Sequence, residues 1–130
     1  MPRTLFSTGS AYEPRVGCSR AVRSGDLLTV SATAPLARDG TTTAAPDAYG
    51  QAKRCLEIIG EVVERAGFSL DDVIKTRVYF TTRTDWESIA TAHGEIYARI
   101  RPANTLVLVV GLANPEWLVE IEADAVSGNG

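Results

Sequence analysis

The sequence predicts an α+β domain in which strands and helices follow the order β-β-α-β-α-β-β. Two segments carry apolar residues at helical spacing, and segments of strand character separate and flank them. The 130 residues, 45% of them hydrophobic and 22% charged, suffice for one globular core. This order, with hairpin-like pairs at both ends, favours one sheet with two helices on one of its faces.

The first two strands are predicted at residues 18–23 and 27–34. They flank the short turn Ser24-Gly25-Asp26, so we expect them to form a hairpin. Residues 36–47 are rich in Gly, Thr, Ala and Pro and are predicted to form the loop that leads into the first helix.

The first predicted helix begins after Asp47, a plausible N-cap, and ends before Gly67, which suits the left-handed C′ position. The apolar side chains of this segment recur at helical spacing and predict one buried face. They are Ala52, Cys55, Leu56, Ile59, Val63 and Ala66. A capping-box pattern from Ser69 to Asp72 predicts a short turn behind the helix.

A third strand and a second helix follow. Residues 73–81 alternate between apolar and polar and predict a strand with one wet or interfacial face. Thr84 or Asp85 is expected to cap the helix, and Pro102 to end it, because a residue before proline avoids helical geometry. The predicted apolar stripe of this helix consists of Trp86, Ile89, His93, Ile96, Tyr97 and Ile100.

The last two strands differ in pattern. TLVLVV, residues 105–110, is continuously apolar and predicts a strand covered on both faces. Residues 118–126 alternate and carry Glu120, Glu122 and Asp124 on one face. If 105–110 is buried on both faces, the open face of the sheet needs a cover, which a self-complementary oligomer would supply.

Charge and composition argue against several functions. A net charge of −3 and a pI near 5.1 disfavour binding to a nucleic-acid backbone. No apolar run approaches the roughly 18 residues of a membrane span, and the N-terminus lacks the apolar core of a signal peptide, so we expect a cytoplasmic protein without membrane contact. One histidine and two cysteines form no metal-binding pattern; we expect reduced thiols, no metal and no cofactor.

Three segments together resemble one known family. They are GCSRAVRSGDLLTVSATAPL (17–36), DDVIKTRVYFTTRTDWESI (71–89), and RPANTLVLV with LVEIEADAV (101–109 and 118–126). In this order they resemble the reactive-intermediate deaminase family, RidA, also called YjgF or L-PSP. The likeness covers about residues 17–126, so we expect one RidA-like domain, 1–130, with loose ends at about 1–12 and 127–130.

The resemblance implies a chorismate-mutase-like fold and a homotrimer whose three clefts lie between neighbouring subunits. It also implies hydrolysis of reactive imines or enamines to 2-oxo acids and ammonia. In the family, an arginine of the Pro-Ala-Arg-Ser motif grips the substrate carboxylate and a glutamate in the last strand holds the attacking water.

The chain departs from the family pattern at the substrate clamp. Asn104 stands at the arginine position and Thr105 at the serine, Cys18 replaces a tyrosine, and Glu120 keeps the glutamate position. An amide cannot supply the charge of an Arg–carboxylate pair. The missing charged hydrogen bond is worth about 1.5–3 kcal/mol, or about ten- to hundredfold in affinity for a 2-imino acid. We therefore expect an enzyme for imine, enamine or related carbonyl compounds that is not a standard 2-imino acid deaminase.

Four further residues are candidates for the cleft. Arg20 is two positions from Cys18, so a strand would place both on one side, and Arg20 is expected to replace the missing charge. Arg101 is the second candidate for that charge. Ser31 is expected to donate a hydrogen bond, and His93 to act as a general acid or base if its stripe lines the cleft.

Structural roles stay open as alternatives for these residues: a salt bridge for Arg20, a helix-end cation for Arg101, and a core position for His93. Two other functions also stay open. A non-catalytic ligand-binding or regulatory trimer is consistent with the missing clamp arginine. An endoribonuclease, a label carried by some relatives, is disfavoured by the acidic chain.

Overall fold

The computed structural model describes residues 2–128 and consists of one six-stranded sheet and three helices, so the predicted α+β class is confirmed. The strands are β1 (Arg3–Phe6), β2 (Ala21–Ser24), β3 (Leu27–Thr33), β4 (Val73–Phe80), β5 (Ala103–Leu108) and β6 (Val119–Val126). The helices are α1 (Tyr12–Val16), α2 (Ala48–Arg65) and α3 (Trp86–Tyr97). The strand order is β1-β2-β3-β6-β4-β5, with β4 and β5 parallel and the other neighbours antiparallel.

The N-terminal segment is more ordered than predicted. Residues 3–6 form β1 and pair antiparallel with β2, so the expectation of a loose end is wrong there. At the other end, the backbone nitrogens of Ser127 and Gly128 donate to Asp26 and Asp72, respectively. Residues 129–130, also expected to be loose, lie outside the described residues.

Helix α2 forms as its pattern predicts. The Asp47 side chain accepts a hydrogen bond from the Gly50 nitrogen, and Gly67 adopts the left-handed conformation with φ 86°. Ser69 and Asp72 form the predicted capping box. All six predicted stripe residues of α2 are buried. Periodicity therefore identified the face of α2 that packs on the sheet.

The sheet has one covered face and one open face. Helices α2 and α3 pack against each other, and α2 contacts β3 and β6. The covered face of β6 contributes buried Val119, Ile121, Ala123 and Ala125. The predicted acidic face of β6 lies on the open side and is half-buried.

Two apolar predictions are wrong for the single chain. Residues 105–110 are not covered on both faces, because β5 is an edge strand that pairs only with β4. Leu106 and Leu108 are 39% and 41% exposed, and Val110 is fully exposed. Trp86, predicted within the stripe of α3, lies at its first turn and is 52% exposed.

A buried glutamine holds two loops against α2. Gln51 Nε2 donates to the carbonyl oxygens of Ala45 and Glu116, each at 3.0 Å, and Gln51 Oε1 accepts from the Leu118 nitrogen at 2.7 Å. The side chain is fully buried and uses both amide hydrogens and its oxygen. Gln51 therefore fixes the loop that enters α2 to the loop that enters β6.

Within residues 2–128, no helix has the length and apolar character that crossing a bilayer requires.

Candidate functional site

The predicted site residues lie on opposite faces of the sheet. Asn104 is in register with Thr76 of β4, whose side chain is buried on the helix-covered face. Glu120 is in register with Tyr79, which belongs to the open face. One chain therefore does not bring Asn104 and Glu120 into the same cleft.

On the covered face, Asn104 and His93 meet through a residue that sequence reasoning missed. Asn104 Nδ2 donates to Thr76 Oγ1 at 3.0 Å, and Thr76 Oγ1 lies 2.8 Å from His93 Nε2. The His93 ring also packs on Tyr97, with ring centroids 4.8 Å apart. The alternation of β4 places Thr76 among apolar neighbours, but it gives no sign of the hydrogen-bond partners.

A small cleft of about 110 Å³ opens beside this hydrogen-bonded chain, between α3 and β5. His93 and Asn104 supply its polar groups. Its remaining lining consists of Val78, Ile89, Ala90, Gly94 and Leu106. None of these seven residues carries a formal charge when His93 is neutral, so the cleft suits an uncharged group.

Burial lowers the pKa of His93 below its usual 6.5. At a pH below 6.5, the histidine of the unfolded protein is protonated, whereas His93 of the folded protein is still neutral. The unfolded state therefore binds more protons, and lowering the pH favours it. We expect the free energy of unfolding to fall as the pH drops from 6.5 towards the lowered pKa, by at most about 1.4 kcal/mol per pH unit from this residue. Urea titrations at pH 7.5 and 5.5 would show a smaller loss for His93→Gln; equal losses in both proteins would contradict the assignment.

On the open face, Glu120 and Arg20 lie within electrostatic reach of each other. Burial raises the pKa of Glu120 above its usual 4.5, while the positive charge of Arg20 acts in the opposite direction. Arg20 Nη2 donates to the Ala32 carbonyl at 2.6 Å. Its Nε is buried and, within residues 2–128, has no hydrogen-bond partner. The pair thus combines a desolvated carboxyl group with a partly unsatisfied guanidinium.

The other acids of β6 have partners of their own. Glu122 accepts hydrogen bonds from Arg77 and from the Tyr79 hydroxyl. Asp124 accepts from Thr29 Oγ1 at 2.6 Å. Glu120 therefore differs from its two neighbours on the same strand face.

Ser31 and Cys18 lie near Arg20 in the chain. Ser31 Oγ donates to the Ser19 carbonyl at 2.8 Å, so its hydrogen is already engaged, contrary to the expected donor role. Cys18 is exposed and lies in the turn after α1, outside β2, which begins at Ala21. Cys18 and Arg20 therefore do not share a strand as expected, because β2 begins after both of them, but Cys18 still lies within electrostatic reach of Arg20.

Thr105 and Arg101 stand apart from both groups. Thr105 is on the open side of β5 and accepts a hydrogen bond from Lys75 Nζ at 2.6 Å. Arg101 is exposed, with φ 55°, and its backbone nitrogen donates to the Tyr97 carbonyl at 2.8 Å. Arg101 thus follows the end of α3 and is not among the residues that line the α3–β5 cleft.

Comparison with known proteins agrees with this architecture. Residues 8–127 match the family model described as Endoribonuclease L-PSP. A RutC family protein of Pyrococcus horikoshii is 31% identical over 125 residues, which are 96% of this chain and 98% of the relative. A crystal structure from Mycobacterium tuberculosis, described as a member of the YjgF/YER057c/UK114 family, is 38% identical with a TM-score of 0.87; the match covers 96% of this chain and 99% of that one. The structure of Escherichia coli TdcF with bound serine is 25% identical with a TM-score of 0.80 and coverages of 95% and 94%. The chain therefore belongs to the RidA/YjgF family, the family whose model bears the name L-PSP.

Proposed function

We propose that the protein hydrolyses a small imine, enamine or related carbonyl intermediate in clefts between its subunits, and that the substrate needs no carboxylate. The observation that carries this proposal is the environment of Glu120, a half-buried carboxyl group. Burial raises the pKa of Glu120, and the positive charge of Arg20 partly offsets this rise. A carboxyl group tuned in this way can take a proton from water and return it within one cycle.

A homotrimer would complete the site. Asn104 and Glu120 lie on opposite faces within one chain, so the α3–β5 cleft of one subunit needs Glu120 from a second copy. The exposed apolar side chains of Leu106, Leu108 and Val110, on and beyond the edge strand β5, support such a contact. Burial at an interface also accounts for the continuously apolar sequence of this strand.

The chemistry follows from the carboxyl group. Ionised Glu120 accepts a proton from water as the water oxygen bonds to the imine carbon. Glu120 returns this proton to the imine nitrogen, which receives the electron pair of the C=N double bond. In the resulting carbinolamine, Glu120 takes the hydroxyl proton and passes it to the nitrogen as the carbon–nitrogen bond breaks, so ammonia leaves and the oxygen becomes the carbonyl of the other product. Arg20 favours the ionised form of Glu120, so its role is to tune the base.

The substrate preference differs from that of a carboxylate binder. The crystal structure of TdcF contains bound serine, a molecule with a carboxylate. In this chain, Asn104 and the other residues of the α3–β5 cleft offer no cation. Within one chain, Arg101 lies outside the cleft and Arg20 lies with Glu120 on the other face. A second copy that supplies Glu120 also brings Arg20, whose charge acts on the Glu120 carboxylate. The proposal therefore assigns Arg20 to Glu120 and places no separate charged clamp at the substrate.

The test is ammonia release from freshly generated imines. Purified protein is expected to release ammonia faster than buffer and faster than heat-denatured protein. If small ligands bind but ammonia is released only at the buffer rate, the protein is a ligand-binding or regulatory trimer and the proposal is wrong.

The name of the family model does not outweigh the charge of this chain. Ribonuclease action requires a surface that binds a phosphate backbone, and such surfaces are basic. The net charge here is −3, and the open face carries Glu120, Glu122 and Asp124. RNA cleavage is therefore not the function that the site favours.

A further inference from the structure

We propose that the α3–β5 cleft selects small uncharged molecules that donate a hydrogen bond to Asn104. The inference rests on the proposed function and names the substrate class of the same site: neutral imines, enamines or amides with a short apolar body. It follows from the direction of each hydrogen bond in the chain from Asn104 through Thr76 to His93.

The direction of these bonds follows from the Asn104 amide nitrogen, which faces the Thr76 hydroxyl. An amide nitrogen only donates, so the bond from Asn104 Nδ2 uses a lone pair of the Thr76 hydroxyl. Thr76 is fully buried, and its hydrogen needs an acceptor. The only other partner of this hydroxyl among the described residues is His93 Nε2, at 2.8 Å. Thr76 therefore donates to His93, whose ring is neutral and carries its proton on Nδ1.

The hydrogen bond to Thr76 fixes the orientation of the Asn104 amide. With Nδ2 held by Thr76, the amide oxygen is the group left to a ligand. In the part of the chain that the structure describes, no donor is bonded to Asn104 Oδ1, and the side chain lines the cleft. A ligand with an N–H group satisfies this oxygen, whereas an ester or ketone would place one acceptor against another.

The rest of the cleft excludes charge. Its other lining residues are apolar apart from neutral His93. A carboxylate would lose water without meeting a cation among these lining residues, which is costly, and the Glu120 carboxylate of a second copy would repel it. Its oxygens would also meet the Asn104 oxygen. The volume of about 110 Å³ limits the apolar body to a short chain.

The direct test is an NMR titration of the full-length protein with three probes that share the butyryl group: butyramide, butyrate and methyl butyrate. Butyramide donates N–H bonds, butyrate is charged, and methyl butyrate only accepts. We expect butyramide to shift the signals of the cleft residues, with a Kd at least about tenfold below those of the other two probes. Equal or tighter binding of butyrate or methyl butyrate would overturn the proposal, as would no butyramide binding at its solubility limit.

Two variants test whether the hydrogen-bonded chain sets this preference. Thr76→Val leaves the Asn104 amide free to turn, so the preference for butyramide over methyl butyrate should fall towards equality. Because Thr76 is buried, Asn104→Leu at an exposed position is the second variant and should lose butyramide binding. The matched control is Thr91→Ala, since the hydroxyl of exposed Thr91 donates to the Glu87 carbonyl of its own helix, away from the cleft lining. If a folded Thr76 or Asn104 variant kept the full preference for butyramide, the hydrogen bonds from Asn104 through Thr76 to His93 would not select the ligand.

The binding test is independent of catalysis. A protein that prefers butyramide but releases no ammonia from imines keeps this inference and loses the proposed function. If the protein releases ammonia but binds the three probes equally, the proposed function stands and this inference is wrong.

Discussion

A Glu120→Gln variant is expected to hydrolyse imines about 10²- to 10⁴-fold more slowly than the wild-type protein, because it lacks the base that takes the proton from water. Glutamine keeps the size of the side chain and can still hold a water molecule, so the loss should appear in kcat more than in KM. Steady-state ammonia release, corrected for the buffer rate, measures the change.

The pH profile and a matched variant show whether the loss of activity in Glu120→Gln comes from the missing base. The raised pKa of Glu120 predicts that the wild-type rate increases with pH through a midpoint above 4.5, as the base ionises, and Glu120→Gln should lack this limb. Removing a desolvated charge should leave the variant at least as stable as the wild type above that midpoint. Glu122→Gln alters the same strand face at an acid already engaged by Arg77 and Tyr79 and should keep most of the activity. A Glu120→Gln variant with wild-type turnover would contradict the assignment.

Replacement of Gln51 by leucine is expected to lower the free energy of unfolding by about 2–4 kcal/mol, because three hydrogen bonds are lost at a buried position. The carbonyls of Ala45 and Glu116 and the Leu118 nitrogen would lose this partner, while the volume of the side chain changes little. Urea denaturation at matched protein concentration measures the difference, since assembly would also affect stability.

Thr43→Val is the control for Gln51. Thr43 Oγ1 donates to Glu116 Oε1 at 2.9 Å between the same two loops, but the bond is exposed. Its loss is expected to change stability by no more than about 0.5 kcal/mol. If Gln51→Leu and Thr43→Val destabilise the protein equally, Gln51 does not hold the loops together.

Sequence patterns predicted the elements whose burial arises within one chain. The helical spacing of apolar residues in α2 identified its buried face, because one side of that helix packs on β3 and β6. Strand alternation likewise separated the two faces of β6. The apolar run of β5 was ambiguous, since a strand covered by a helix and an edge strand covered by another subunit have the same composition.

The candidate site was only partly accessible to such reasoning. Glu120 and Asn104 were found through a resemblance, but the pleat that places them on opposite faces depends on the pairing of β4 with β5 and β6. Thr76 gave no signal, because a buried threonine in an alternating strand has no distinctive spacing. Its contacts with His93 and Asn104 arise only when α3 folds back over these strands.

The most direct test of the central claim, that the substrate carries no carboxylate, compares kcat/KM for two imines that differ only at that group. The imine of butanone has a methyl group where the imine of 2-oxobutyrate has a carboxylate. Wild-type protein is expected to favour the neutral imine, and Asn104→Arg should shift the ratio by about ten- to hundredfold towards the acid, the value of one charged hydrogen bond. A wild-type protein that prefers the carboxylated imine tenfold or more would contradict the claim.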